Sequence, residues 1–263
     1  MLIVLPPSAG KTPGRGPALD LDALAYPQLG ELRRRIVTAV ADAAARPDAL
    51  DVFGVSHRLA DEVAAMMTLP SAPTGCAGHV MSGVLYQAAG YAQATVEDLR
   101  ALDEAVLIVS DLFGFVRLSD PIPAYRASMS TRLGSLGTLG TAWRTPLRDI
   151  VCAEPDDLFV SCCSTPYQAA WAPTAKACER AGLRILSVRP VVSTPEGLVS
   201  ISHWAKHYRG RVAAILGPRA RDLNTADAVA ETIVSAGEAD MIDAFIEGSG
   251  PLATLTLVIA HES

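Results

Sequence analysis

Apolar positions in this chain follow two periods, one of strands and one of helices. Residues 2–5 form a short apolar run halted by Pro6 and Pro7, which predicts a buried strand feeding a Gly/Pro-rich loop over 8–17. Apolar residues recur at helical spacing over 31–45 and 50–66, and Arg46-Pro47-Asp48 separates the two runs, so a helix, a tight turn and a second helix are expected. Residues 80–89 predict a helix or a strand–helix junction, and 96–104 a short helix. Residues 105–110 predict a buried strand. Further strands are expected at 157–163, 184–188 and 197–202, with a helix over 173–182 between the first two. Residues 219–236 and 239–245 read as helical, and 252–259 alternate as a strand. Strands and helices mix without a regular βαβ period, which gives an α+β (mixed) fold in one domain spanning 1–263, with no repeats and no linker.

Composition narrows the class. With 263 residues, half of them hydrophobic, the chain is long enough to bury most of its apolar surface. No run approaches the roughly 20 apolar residues of a membrane span, and no membrane partner is expected. The first five residues lack a basic flank and meet Pro6-Pro7 at once, so a cytoplasmic protein without a signal peptide is expected. Five cysteines, an odd number in a chain too long to need disulfide staples, fit a reducing compartment. The three lysines, Lys11, Lys176 and Lys206, stand against 19 arginines, a bias that reads first as genome composition.

Charge changes the picture more. The chain carries a net −6, yet residues 112–148 hold a basic excess of four and residues 203–221 an excess of five with no acid. Cations concentrated against the overall trend are what an anion site requires. The run 106–143 opens as an apolar strand and then carries Arg117, Arg126 and Arg132, too polar for a buried connection. Ser202, His203, Trp204, Lys206, His207, Arg209 and Arg211 follow later.

The order PPSAGKT, SGVLY, LFGFVRLSDPIPAYRASMSTRL, Trp143 and ISHWAKHYRGR resembles the YaaA family, also called DUF328 or UPF0246, the peroxide stress proteins. The likeness spans nearly the whole chain. It implies a cytosolic protein that limits iron-driven DNA damage under peroxide, a barrel-like mixed sheet body, a helix-hairpin-helix and a positively charged cleft for DNA. It also places Lys11 and Thr12 in a functional loop. Three positions depart from the family pattern. Ala9 stands where relatives carry a glutamate, Met81 where they carry a tyrosine and Gln87 where many carry an aspartate, while Ser82 keeps a hydroxyl.

Residue chemistry then selects candidates. Arg126, Arg132, Lys206 and Arg211 are the strongest anion ligands, because arginine offers a planar donor fork and lysine a compact charge. Arg117, Lys11, Thr12 and Ser82 join them, and Tyr125 can stack on a base. The four strongest cations are expected to converge in space. MLIVLPPSAGKT is not a nucleotide-binding loop, because Leu5 occupies the position of the required first glycine. Cys162-Cys163 lacks metal-ligand spacing, so no metal and no cofactor are expected, and small buried hydrophobes are the simpler reading. The leading expectation is a monomer that binds DNA or another phosphate-bearing ligand. The rival is an enzyme for a small anionic or nucleobase-like substrate, with His203 or Cys163 as catalytic candidates.

Overall fold

The structure is a computed structural model that describes residues 1–154, 156–201 and 204–260. Leu2–Leu5 forms β1 with every side chain buried, as an apolar run must when both faces of its sheet are covered. The chain then builds α1 (Gly30–Ala44), α2 (Ala49–Phe53), α3 (Ala60–Ala65), the short β2 (Gly75–Cys76), α4 (Ala77–Val80), α5 (Val84–Ala88) and α6 (Val96–Ala101). It returns to the sheet as β3 (Val106–Ser110) and β4 (Gly114–Val116). After β5 (Pro121–Ile122), paired with β2, come α7 (Leu139–Ala153), β6 (Leu158–Ser161), α8 (Thr165–Trp171), α9 (Ala175–Ala181) and β7 (Arg184–Thr194). The last described elements are β8 (Gly197–Ser200), α10 (Ala205–Leu216), α11 (Ala226–Ser235), β9 (Met241–Glu247) and β10 (Leu252–Ile259).

The main sheet runs β4-β3-β1-β6-β7-β10-β9, with β8 paired to the last residues of β7. Strands β3, β1, β6, β7 and β10 are mutually parallel, whereas β4, β8 and β9 are antiparallel to their neighbours. The mixed α and β class is therefore as expected; where the resemblance implies a barrel-like body, the described strands form an open, mostly parallel sheet whose path ends at β4 and β9. In chain order its parallel strands read second, first, third, fourth, fifth. That is a doubly wound order, in which the ligand crevice lies beyond the carboxyl ends of the strands where the winding reverses, here around β1. Neighbouring thiols mark the two covered faces: Cys162 donates to the Arg209 carbonyl of α10 at 3.4 Å, and Cys163 lies against Trp171 of α8.

Several expected elements differ. The helix expected over 50–66 breaks after Phe53, where Gly54 adopts φ 63° and caps α2, and the chain resumes with a 3-10 turn over His57–Leu59 and an α-helix only at Ala60. At the corner before α2, Arg46 donates to both Asp48 oxygens at 2.8 and 2.6 Å, so an exposed ion pair stands where the resemblance implies a helix-hairpin-helix turn. The helix expected over 239–245 is instead β9, because a short apolar run is ambiguous between the two periods and pairing with β10 decides it. Residues 219–236 split at Leu223–Thr225, where Thr225 caps α11. The polar stretch after β3 is also more buried than its arginines suggest. Phe113, Phe115, Leu118 and Ile122 are all at 0% exposure, and Arg117 is spent on the Asp103 carbonyl.

Candidate functional site

The loop leaving the carboxyl end of β1 is held from several sides. Tyr86 donates to the Pro6 carbonyl at 2.8 Å, Thr12 N to the Val80 carbonyl at 2.8 Å, and Lys11 forms a bridge with the buried Met81. Gly83 is required beside it, since a Cβ there would lie 2.7 Å from the Ser8 Cβ. Met81, at the position of the missing tyrosine, instead sets its sulfur 3.4 Å from Ser8 N. Gln87 is exposed and donates to the Ser82 carbonyl at 3.1 Å. This framing brings Lys11 Nζ to 2.7 Å from the Ser8 carbonyl and to 3.8 Å from the centre of the Tyr125 ring.

The same Tyr125 side chain reaches a residue that the sequence reading did not select. Asp111 follows β3 and is 1% exposed. Its backbone is fixed by Trp143 Nε1, which donates to its carbonyl at 2.7 Å, and by Tyr125 Oη, which accepts from its N–H at 3.2 Å. Tyr125 Oη also bonds Ser110 Oγ at 2.8 Å and reaches Asp111 Oδ2 at 3.4 Å. Asp111 Oδ1 is buried without a hydrogen-bond partner. Arg33, fully buried, ties the neighbouring turn to α1 through the Phe113 and Phe115 carbonyls, both at 2.8 Å.

Electrostatics couples the two charges. Burial lowers the Lys11 ammonium to about 8, with Asp111 and Glu62 opposing the shift and Arg126 adding to it. Burial raises Asp111 to about 6, opposed by Lys11 and by the hydroxyls of Tyr167 and Tyr125. Lys11 and Asp111 thus come from the loops after β1 and β3, and Tyr167 from the first turn of α8 after β6, so the three follow adjacent parallel strands at the reversal of the winding.

The remaining candidates are dispersed. Arg126 does join Lys11, donating to the Ala9 carbonyl at 2.6 Å, but its Nε and Nη2 both donate to Glu62 Oε2, at 3.0 and 2.6 Å. Arg211 Nη1 reaches both Asp240 oxygens at 2.7 and 2.6 Å, and Nη2 pairs with Glu238. Lys206 is exposed on α10 and Thr12 is exposed in the first loop, while Ser82 is half-buried beside Gly10. His203 lies outside the described residues. Cys163 is 4% exposed, bonds the Val4 carbonyl at 3.6 Å and is pushed up to about 12 by burial. A thiol so placed holds almost no thiolate at neutral pH, the opposite of an activated nucleophile.

Arg132 belongs to a different place. With Arg34, Arg35 and Arg46 of the α1 segment, and with Gly134 and Ser135, it lines a groove of about 560 Å³ whose only acid among the described lining residues is Asp42. Arg34 and Arg46 already pair with Asp22 and Asp48 at the surface, which leaves Arg35 and Arg132 as the groove's principal cations. The sequence carried a trace of this groove in the run Arg33-Arg34-Arg35, and a trace of the buried site in Asp111, the acid that closes the apolar run of β3. Neither could be weighed without knowing which side chains are buried.

Comparison with known proteins matches the family described as Peroxide stress protein YaaA over residues 1–230. A UPF0246 protein of Corynebacterium efficiens is 37% identical over 98% of this chain and 100% of its own length. A UPF0246 protein of Streptomyces coelicolor is 36% identical over 82% of both chains, and one of Corynebacterium glutamicum is 33% identical over 90% of this chain and 93% of its own.

Proposed function

The chain belongs to the family of the peroxide stress protein YaaA, and from that premise we propose that it engages the phosphates of DNA, or of a similar phosphate-bearing ligand, in the groove lined by Arg34, Arg35, Arg46 and Arg132. The observation that carries this reading is the convergence on one open groove of an otherwise acidic chain of four arginines, of which Arg35 and Arg132 are not taken up by the ion pairs that hold Arg34 and Arg46. Arginine forks are suited to phosphate oxygens, and an open groove suits a polymer better than a closed pocket does. The net charge of −6 works against indiscriminate binding, so affinity is modest and salt-sensitive. In the cell this binding serves tolerance of peroxide and iron stress in the cytoplasm.

The test is duplex binding followed by fluorescence anisotropy across a salt series. Binding should weaken linearly in log salt, and Arg35→Ala and Arg132→Ala should each shallow the slope by about 0.9 for the lost phosphate contact. Arg211→Ala should leave the slope unchanged, because that charge is already met by Glu238 and Asp240. No binding even at low salt would remove DNA as the ligand.

A further inference from the structure

The arginine groove makes no use of the most unusual ionisable pair in the molecule. Lys11 and Asp111 project from the loops after two adjacent parallel strands, β1 and β3, next to the crevice between β1 and β6 where the winding reverses and doubly wound sheets hold their ligands. Their polar atoms are incompletely satisfied by the protein. Lys11 spends its amine on the Ser8 carbonyl and on the face of Tyr125. Asp111 meets the Tyr125 hydroxyl through Oδ2 and has the Tyr167 hydroxyl nearby, yet Oδ1, fully enclosed, makes no hydrogen bond of ordinary length. A buried carboxylate oxygen without a partner is costly in a fold that serves only itself, and such groups mark sites where another molecule completes the network.

We propose that Lys11 is a nucleophilic amine that captures a small aldehyde or ketone as a Schiff base, with Asp111 carrying the proton for the departing water. The neutral amine adds its lone pair to the carbonyl carbon, and the carbonyl oxygen takes up a proton as nitrogen gives one up, which yields a carbinolamine. Asp111 in its acid form then protonates the hydroxyl, the C–O bond breaks, water leaves, and the protonated imine on Lys11 faces the Asp111 carboxylate. No oxidant, reductant or further reactant is consumed. Both tyrosine hydroxyls that face Asp111, those of Tyr125 and Tyr167, can donate to the ligand oxygen as it gains charge.

The groups around Lys11 favour the neutral amine. Burial and Arg126 disfavour its charged form, against Asp111 and Glu62. With an amine that titrates near 8 in place of the ordinary 10.4, the neutral fraction at neutral pH is about two orders of magnitude larger than for an exposed lysine. A neutral amine beside an acid is the pairing that imine formation needs. Lys11 is exposed along part of its length while its amine is enclosed, and Asp111 is 1% exposed, so the site admits only the small carbonyl end of a ligand.

The chain offers its own controls, because Lys176 and Lys206, the two other lysines, are both exposed. The full-length protein is incubated at pH 7.5 with propanal or with pyruvate and sodium cyanoborohydride, and adducts are located by peptide mass spectrometry. Lys11 should be modified at least about tenfold faster than either reference lysine with one of the two probes. Asp111→Asn should shift the midpoint of the Lys11 pH profile downward, because the carboxylate raises it, yet slow trapping by about tenfold for want of the acid. Equal or slower modification of Lys11 in the unaltered chain overturns the proposal, whatever the variant does. A duplex carrying an abasic-site aldehyde forms a further arm: trapping on that duplex with neither small probe reacting overturns the small-ligand assignment. Because no groove residue takes part, loss of DNA binding in Arg132→Ala leaves the expected Lys11 result unchanged.

Discussion

Burial moves Lys11 and Asp111 toward one another on the pH scale, and each shift has a sign for stability. Folded Asp111 keeps its proton to about 6, whereas an unfolded aspartate releases it near 3.9, so between those values the folded chain binds more protons and stability falls as pH rises. For Lys11 the unfolded chain binds more protons between about 8 and about 10.4, so stability rises with pH there. Asp111→Asn should therefore remove a fall on the order of 1–3 kcal/mol between about pH 4 and 6, read from urea midpoints; an unchanged profile would show that Asp111 is not held near 6. Thiol chemistry gives a second residue-scale expectation. Iodoacetamide at pH 8 should label exposed Cys152 first, and Cys162 and Cys163, both pushed up to about 12, last; early labelling of Cys163 would mean that its burial is wrong. At this scale the sequence singled out Lys11, Tyr125 and Arg126 by type and motif position, and the structure brings the three together. The sequence did not disclose Asp111, whose meaning depends on a lysine one hundred positions upstream, nor the neutralisation of Arg126 and Arg211 by Glu62, Glu238 and Asp240.

Among the elements, α10 and α5 approach through a glycine. A Cβ on Gly210 would lie 2.2 Å from the Leu85 carbonyl oxygen and 2.9 Å from Ala88 Cβ, and a backbone carbonyl cannot rotate aside as a side chain can. Gly210→Ala should cost about 1–3 kcal/mol or more, measured by denaturant midpoint, while Gly250→Ala, with nothing within 4 Å, should be close to neutral. Equal costs for the two would remove the close approach. Element type was legible wherever a run was long or wholly apolar, as at β1, β3, α1 and β10. It failed at β9, where Met241, Ile242, Phe245 and Ile246 fit either period and the partner strand decides. It failed again before α3, where Gly54 takes a left-handed conformation that helical spacing does not reveal.

Over the whole molecule, alternation and apolar runs specified a mixed α and β chain, and the motif order specified its family, because both are properties of neighbouring or ordered residues. Strand order is a different kind of property. That β1 lies between β3 and β6, and so becomes the place where the winding reverses, follows from which faces can be covered at once and not from any local pattern. The same holds for the two sites. Charge counting located cations correctly in two stretches, but tertiary packing sent Arg126 to Glu62 and Arg211 to Asp240, gathered Arg132 with Arg34, Arg35 and Arg46, and set the half-buried Lys11 within electrostatic reach of the buried Asp111. Residue identity settles what a side chain can do in water. Burial and the partners brought from distant positions settle how strongly it does so, since the energy of a charge depends on its surroundings far more than on its neighbours in the chain.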